Sequence, residues 1–194
     1  MNAADGQDAH RRVRHLLLDR DGVLNREHGA GWLADPADWR WEVGARTGLR
    51  RLARAGIGIS VVTNQSGIGR GVVTAEQVAA VHRHLRAELA DLGFGEVDVL
   101  VCPHHPDDGC PCRKPRPALV LEALGRAGVS AAEALLVGDA ARDLAAGRAA
   151  GVAVVLVRTG KGATTLAELD PTAPAPPTVA DLDELADLVL GPAG

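Results

Sequence analysis

Tyrosine is absent from this sequence, phenylalanine and methionine occur once each, and tryptophan occurs three times. With aromatics at 2% of 194 residues, the chain cannot offer the row of stacking partners that single-stranded nucleic acid requires. The same scarcity leaves a core of Ala, Val and Leu, within a hydrophobic content of 46% that is ordinary for a globular protein. Positive charge is not in excess. Lys and Arg number 21 against 25 Asp and Glu, a net charge of -4, which argues against a nucleic-acid groove or an anionic membrane surface as main partner. No apolar run approaches the roughly 20 residues of a membrane span, and residues 1–15 lack the apolar middle of a signal peptide, so a cytoplasmic protein is expected. The three cysteines are an odd number crowded into residues 102–112, which suits metal ligands in a reducing compartment and not a disulfide framework.

What is present is an alternation of short apolar runs with longer helical patterns. Val13 to Leu18, Ile57 to Thr63, Val97 to Cys102, Ala134 to Gly138 and Val152 to Val157 read as strands. Helices are expected at Thr47 to Ala55, Thr74 to Leu92, Pro117 to Ala127 and Asp143 to Ala150, with Thr74 and Gln77 spaced for a capping box. The alternation predicts an α/β fold, a parallel sheet with helices on both faces. Residues 170–178 form a proline-rich connector before a last amphipathic helix, Asp181 to Leu190. The length predicts one domain, residues 13–190, after a polar tail at 1–12.

The first run ends in Asp19-Arg20-Asp21-Gly22. In an extended segment, residues i and i+2 point the same way, so Asp19 and Asp21 can face one reacting centre, where one attacks while the other moves protons. Gly22 lets the backbone turn sharply away. The second run ends in Thr63-Asn64-Gln65-Ser66-Gly67, a hydroxyl followed by small residues whose backbone N–H groups suit a phosphate dianion. Asp139 ends the fourth run at the same sheet edge as Asp19, where an acidic residue completes a site for Mg²⁺. Asp143, one helical turn on, either complements a helix dipole or takes part in the acidic site.

The segment Cys102-Pro-His104-His105 … Cys110-Pro-Cys112-Arg113-Lys114 is the most specific signal. Two i, i+2 pairs separated by a glycine-containing turn can converge their ligands, and three thiolates with one imidazole make a closed tetrahedral Zn²⁺ site of structural type. His105 is the alternative to His104 as fourth ligand. Such a clip fixes a loop, 102–114, that delivers Lys114 as a compact charge near Asp19 and Arg113 as a forked donor to a phosphate or sugar oxygen.

Asp19-x-Asp21-Gly22, Thr63-Asn64-Gln65, Lys114 and Gly138-Asp139 resemble, in order and spacing, the four motifs of the haloacid-dehalogenase-like (HAD-like) phosphohydrolase superfamily. The zinc-clipped loop is similar to that of the branch containing heptose-bisphosphate and histidinol-phosphate phosphatases. The resemblance runs from about Val13 to Lys161, and the segments Asn25 to Gly29, Thr63 to Gly71 and Val157 to Lys161 look like the heptose enzymes. The short span between the two zinc-ligand pairs matches the histidinol-phosphate enzymes. Ala140 stands where some heptose phosphatases carry lysine, so that contact is not expected.

The resemblance implies a Rossmann-like sheet with a minimal cap and a Mg²⁺-dependent phosphate monoesterase. Catalysis would fall to Asp19 as nucleophile forming an aspartyl-phosphate, Asp21 as acid and then base, Thr63 and Lys114. Mg²⁺ would be held by Asp19, Asp139 and the Asp21 carbonyl, and Zn²⁺ by Cys102, His104, Cys110 and Cys112. It implies contacts to the sugar-phosphate substrate from Glu27, His28, Gly29, Ala30, Asn64, Gln65, Ser66, Arg70 and Arg113. His28 has the alternative of a plain loop histidine, and Arg70 either reaches a second phosphate or is solvated. The expected substrate is a heptose 1,7-bisphosphate, with histidinol phosphate or another small monoester as the alternative. A polynucleotide phosphatase is disfavoured by the acidic charge. A non-catalytic zinc module would have no use for the five clustered motif residues. No macromolecular partner is expected, and the protein should be a monomer.

Overall fold

The computed structural model describes residues 13–29, 31–172 and 174–191; the predicted tail at 1–12 and the expected contact residue Ala30 lie outside them. Six parallel strands form one sheet: β1 (His15–Leu18), β2 (Gly58–Asn64), β3 (Asp98–Cys102), β4 (Ala134–Gly138), β5 (Ala153–Val157) and β6 (Thr178–Val179). Their order is β3-β2-β1-β4-β5-β6. The helices are α1 (Ala45–Arg54), α2 (Ser66–Gly69), α3 (Ala75–Asp91), α4 (Ala118–Ala127), α5 (Ala141–Ala149), α6 (Gly162–Glu168) and α7 (Leu182–Leu190). No helix among the described residues is long and apolar enough to cross a membrane.

The alternation of side chains along β1 shows how these residues build two cores. Leu16 and Leu18 point to one face, packed with Leu49 and Leu52 of α1, Leu85 and Leu89 of α3 and Leu185 of α7. Leu17 points to the other, with Leu119 and Ala123 of α4 and Leu144 of α5. Because both faces are covered, the strands are nearly uniform apolar runs, as parallel sheets require. The Thr74 hydroxyl accepts from the Gln77 N–H at 3.2 Å and the Gln77 amide accepts from the Thr74 N–H at 2.8 Å, the reciprocal cap predicted for α3.

Four elements differ from the sequence expectation in ways that bear on the site. The sheet has six strands, not five, because Thr178 and Val179 at the end of the proline-rich connector pair with Leu156 and Val157. Two residues are too few to carry a periodic signal, and prolines are tolerated only beside such an edge strand. Helices α2 and α6 open on Ser66-Gly67 and Gly162, which read locally as loop. The expected helix Asp143 to Ala150 begins two residues earlier, at Ala141, which places Asp143 inside its first turn. The segments leaving the C-terminal edge after β1 and β3 carry one 3₁₀ turn each among the described residues, at Pro36–Asp38 and Pro106–Asp108, which leaves the cap minimal.

Candidate active site

β1 and β4 are hydrogen-bonded neighbours, and their forward connections run to opposite sides, so a crevice opens beyond their C-terminal ends. Asp19 and Asp139 occupy that crevice as the residues after β1 and β4, with the Asp19 N–H donating to the Val137 carbonyl at 3.0 Å. Both carboxylates are buried. Asp143, also buried, joins them, and one oxygen of each lies within 4.8 Å of the others. One Asp143 oxygen accepts from the Ala140 N–H at 3.0 Å, as a first-turn carboxylate should, while Oδ1 lies 2.7 Å from Lys114 Nζ. Its residue type and spacing from Asp139 were the only sequence signal for this second contact. At Gly138 a Cβ would collide with Asp143, so glycine is what lets the carboxylate sit there.

Lys114 arrives from the loop after β3 and is 1% exposed, which makes a lone charge untenable. Nζ lies 3.0 Å from Asp19 Oδ1 and donates to the Val62 carbonyl at 2.7 Å. Burial alone would lower its pKa, but Asp143 and Asp19 outweigh that and raise it, so the ammonium persists. The Asn64 side chain clamps the Lys114 main chain from both sides, its Oδ1 accepting at 3.1 Å and its Nδ2 donating to the carbonyl at 3.0 Å. Asn64 is therefore committed to holding the lysine.

Asp21 leads into a tight turn in which Gly22 adopts φ +82°, and a Cβ there would strike the Asp139 carboxylate. Its carboxylate is turned away from the acidic cluster. Oδ1 accepts from Arg20 Nη2 at 2.9 Å and Asn25 Nδ2 at 3.0 Å, and Oδ2 accepts from Gln65 Nε2 at 2.8 Å. Burial would raise its pKa, but Arg20, Asn25 and Gln65 hold it below the usual range. Gln65 Nε2 also donates to the hydroxyl of buried Thr63 at 2.9 Å. With the carboxylate so engaged, the Asp21 main-chain carbonyl is the group available to serve a cation beside Asp19 and Asp139.

Asp139 is where a cation is most needed. Burial and the nearby Asp19 charge push its pKa up to about 7. Oδ2 accepts from the Lys161 N–H at 2.8 Å, but buried Oδ1 has no donor among the described residues. An unsatisfied carboxylate oxygen beside two more carboxylates suits a hard cation with oxygen ligands.

The thiols and imidazole also converge. Cys110 Sγ lies 3.5 Å from Cys102 Sγ and 3.6 Å from Cys112 Sγ, and His104 Nδ1 lies 3.7 and 3.2 Å from Cys102 and Cys112. Ligands of a tetrahedral zinc with bonds of about 2.3 Å to sulfur and 2.05 Å to nitrogen stand roughly 3.6–3.8 Å apart, so the donor set fits. His105 is turned elsewhere, its Nδ1 accepting from the Asp107 N–H at 3.2 Å. Burial, then Cys102 and Cys110, push the Cys112 thiol up to about 12, a cost that a bound cation removes. At Gly69 a Cβ would strike the backbone of His104 and His105, so the turn after β2 packs directly on this loop.

The expected substrate residues are more scattered. Arg113 is half-buried and its Nη1 has no partner among the described residues, whereas Arg70 and Gly29 are exposed and Ser66 half-buried. Glu27 pairs with Lys161 Nζ at 2.7 Å, and His28 Nε2 lies 3.9 Å from Asp38. Arg142, not singled out from the sequence, lies 3.9 Å from Asp19 Oδ2.

The HAD-hyrolase-like family model matches residues 111–185. The chain is 41% identical over 157 residues to a D-glycero-beta-D-manno-heptose-1,7-bisphosphate 7-phosphatase of Bordetella bronchiseptica, covering 80% of this chain and 87% of that protein. An alpha-anomer 7-phosphatase of Mycobacterium tuberculosis is 45% identical over 132 residues, 66% of this chain and 68% of that one. The crystal structure of the Bordetella bronchiseptica D,D-heptose 1,7-bisphosphate phosphatase complexed with magnesium and phosphate superposes with TM-score 0.84 at 36% identity, covering 92% of this chain and 98% of that one. This chain belongs to the D-glycero-D-manno-heptose-1,7-bisphosphate 7-phosphatase family of HAD-like hydrolases.

Proposed function

We propose that this protein removes the 7-phosphate of D-glycero-D-manno-heptose 1,7-bisphosphate through an aspartyl-phosphate. The observation that carries the reading is the buried Asp19–Lys114 pair at the sheet's crevice, beside Asp139 and within one turn of Asp21. Asp19 attacks phosphorus, and the bond from phosphorus to the sugar oxygen breaks. Asp21 gives that oxygen its proton and then takes one from the water that hydrolyses the aspartyl-phosphate, restoring Asp19 and releasing phosphate. An incoming phosphate dianion opposes the pull of Arg20 on Asp21 and draws a proton onto the carboxyl. Lys114 and the Thr63 hydroxyl neutralise or donate to the transferring phosphoryl oxygens.

Asp19, Asp139 and the Asp21 carbonyl would hold Mg²⁺, with Asp143 in the same cluster; when bound, the ion supplies Lewis-acid neutralisation of phosphoryl charge. Cys102, His104, Cys110 and Cys112 would hold Zn²⁺ and fix the loop that presents Arg113 and Lys114. Arg113, with a guanidinium nitrogen that has no partner among the described residues, is the residue best prepared to meet the sugar side of the substrate, and Arg70, exposed in the turn after β2, is placed for a distal phosphate.

The test is a turnover panel of both heptose-bisphosphate anomers and histidinol phosphate. The expected kcat/KM for the better heptose anomer exceeds that for histidinol phosphate by at least ~10²-fold, about 2.7 kcal/mol of transition-state binding. A higher value for histidinol phosphate overturns the substrate.

A further inference from the structure

Arg20 stands between the two motif carboxylates, yet it is the largest fully buried side chain among the described residues. Its guanidinium is shared between two partners. Nε and Nη2 donate to Asp21 Oδ1 at 3.3 and 2.9 Å, and Nη1 lies 2.9 Å from Nε2 of His82 on α3, itself 4% exposed. Arginine only donates, so His82 Nε2 accepts, which makes the imidazole neutral with its proton on Nδ1. Burial, then the charges of Arg20 and Arg86, depress the His82 pKa to about 3, in keeping with that state.

Stability does not account for this arrangement. A buried cation loses its hydration, and apolar residues of similar volume usually serve a core as well or better. The arrangement does, however, make the two oxygens of Asp21 unequal. Oδ1 receives the Arg20 fork and Asn25, which exhausts its lone pairs, whereas Oδ2 receives only Gln65.

We infer that His82 and Arg20 are positioning residues: His82 anchors the Arg20 fork, and the fork holds Asp21 so that Oδ2 alone carries the proton to and from the reacting group. The inference rests on the acid–base role proposed for Asp21 and deepens it.

The experiment compares an alkyl phosphate with an aryl phosphate such as p-nitrophenyl phosphate, whose leaving group needs little protonation. His82→Leu should lower kcat/KM for the alkyl ester roughly 10- to 100-fold while leaving that for the aryl ester within about threefold. For the aryl ester, kcat and KM should fall together, because hydrolysis of the aspartyl-phosphate still needs Asp21. His82→Gln, whose amide oxygen accepts from Arg20, should recover most of the loss. Equal losses on both esters, or a Gln variant no better than Leu, overturn the inference. If His82→Leu does not fold, Arg20→Lys carries the same contrast, since it keeps the charge and loses the fork. Asp21→Asn is the reference. If it fails to discriminate between the esters, the acid–base reading falls; if it discriminates and His82→Leu does not, only the positioning role falls.

Discussion

Two clusters of ionisable side chains lie at the C-terminal edge of one sheet, and they are built on opposite plans. The carboxylates Asp19, Asp139 and Asp143 grow from two central strands and the helix that follows, are all buried, and leave Asp139 Oδ1 without a donor. The thiol of Cys102 ends β3 and those of Cys110 and Cys112, with the His104 imidazole, sit on the loop that follows, His104 exposed, and their ligand atoms converge. A strand-anchored frame with an unfilled oxygen suits a cation that must also meet a substrate, whereas a loop with a complete soft donor set suits one that only fastens. Lys114 joins the two: its main chain belongs to the fastened loop and its ammonium to the carboxylates.

The sharpest way to separate the two is Asp19→Asn. Turnover should fall at least roughly 10⁴-fold, because an amide cannot form the acyl phosphate, while zinc content by metal analysis stays unchanged. Residual activity within tenfold of the parent would break the assignment. Next in size is loss of the soft cation. The purified protein should carry one zinc that millimolar Mg²⁺ does not displace. Chelating it should cost roughly 10- to 100-fold in activity through misplacement of Lys114, with amide exchange rising over residues 102–114 and far less in the sheet. A preparation made without chelator and found free of zinc would refute the ligand set.

A smaller effect tests what the fastened loop presents. Arg113→Ala should cost about tenfold, ~1.4 kcal/mol, in kcat/KM for the heptose bisphosphate and spare an aryl phosphate. Equal loss on both would recast Arg113 as general electrostatic support. The smallest effect is on stability. Asp139, at about 7 when folded against an ordinary 3.8, makes the metal-free protein bind an extra proton between those values. This contribution therefore weakens the fold as pH rises through that window. Mg²⁺ needs the ionised carboxylate, so the rise in Tm that it produces should be roughly 2–4 °C larger at pH 8 than at pH 5.5. An increment independent of pH would remove Asp139 from the hard-cation site.

The same contrast explains what could be read from the sequence. Strands β1, β2, β3, β4 and β5 were legible because each is a mainly apolar run of four or more residues, and β6 was not because two residues after a run of prolines have no period. Asp19, Asp139 and Lys114 declared themselves by position at strand ends and beside a cysteine pair. Arg20 and His82 did not: a buried arginine bonded to a histidine 62 positions away leaves no local trace. Asp143 was half legible. Its place in the first turn of α5 was visible, but its contact with Lys114 depends on the absent Cβ of Gly138 and on a loop from the far side of β1. Asn64, expected to meet substrate, is engaged in holding a main chain that no spacing rule would bring to it.

The Asp19 N–H bonded to the Val137 carbonyl has a consequence for how such a protein diversifies. Leu18 pairs with Val137, so Asp19 stands one residue and Asp139 two residues beyond a paired position, and their separation is a strand spacing of about 4.8 Å with a one-residue offset, inherited from the ladder and not negotiated by loops. Insertions, deletions and exchanges in the segments after β1, β2 and β3 can therefore alter which alcohol is presented without disturbing where negative charge meets phosphorus. Selection on substrate range and selection on reaction rate act on physically separable parts of the chain, and the backbone ladder is the partition between them.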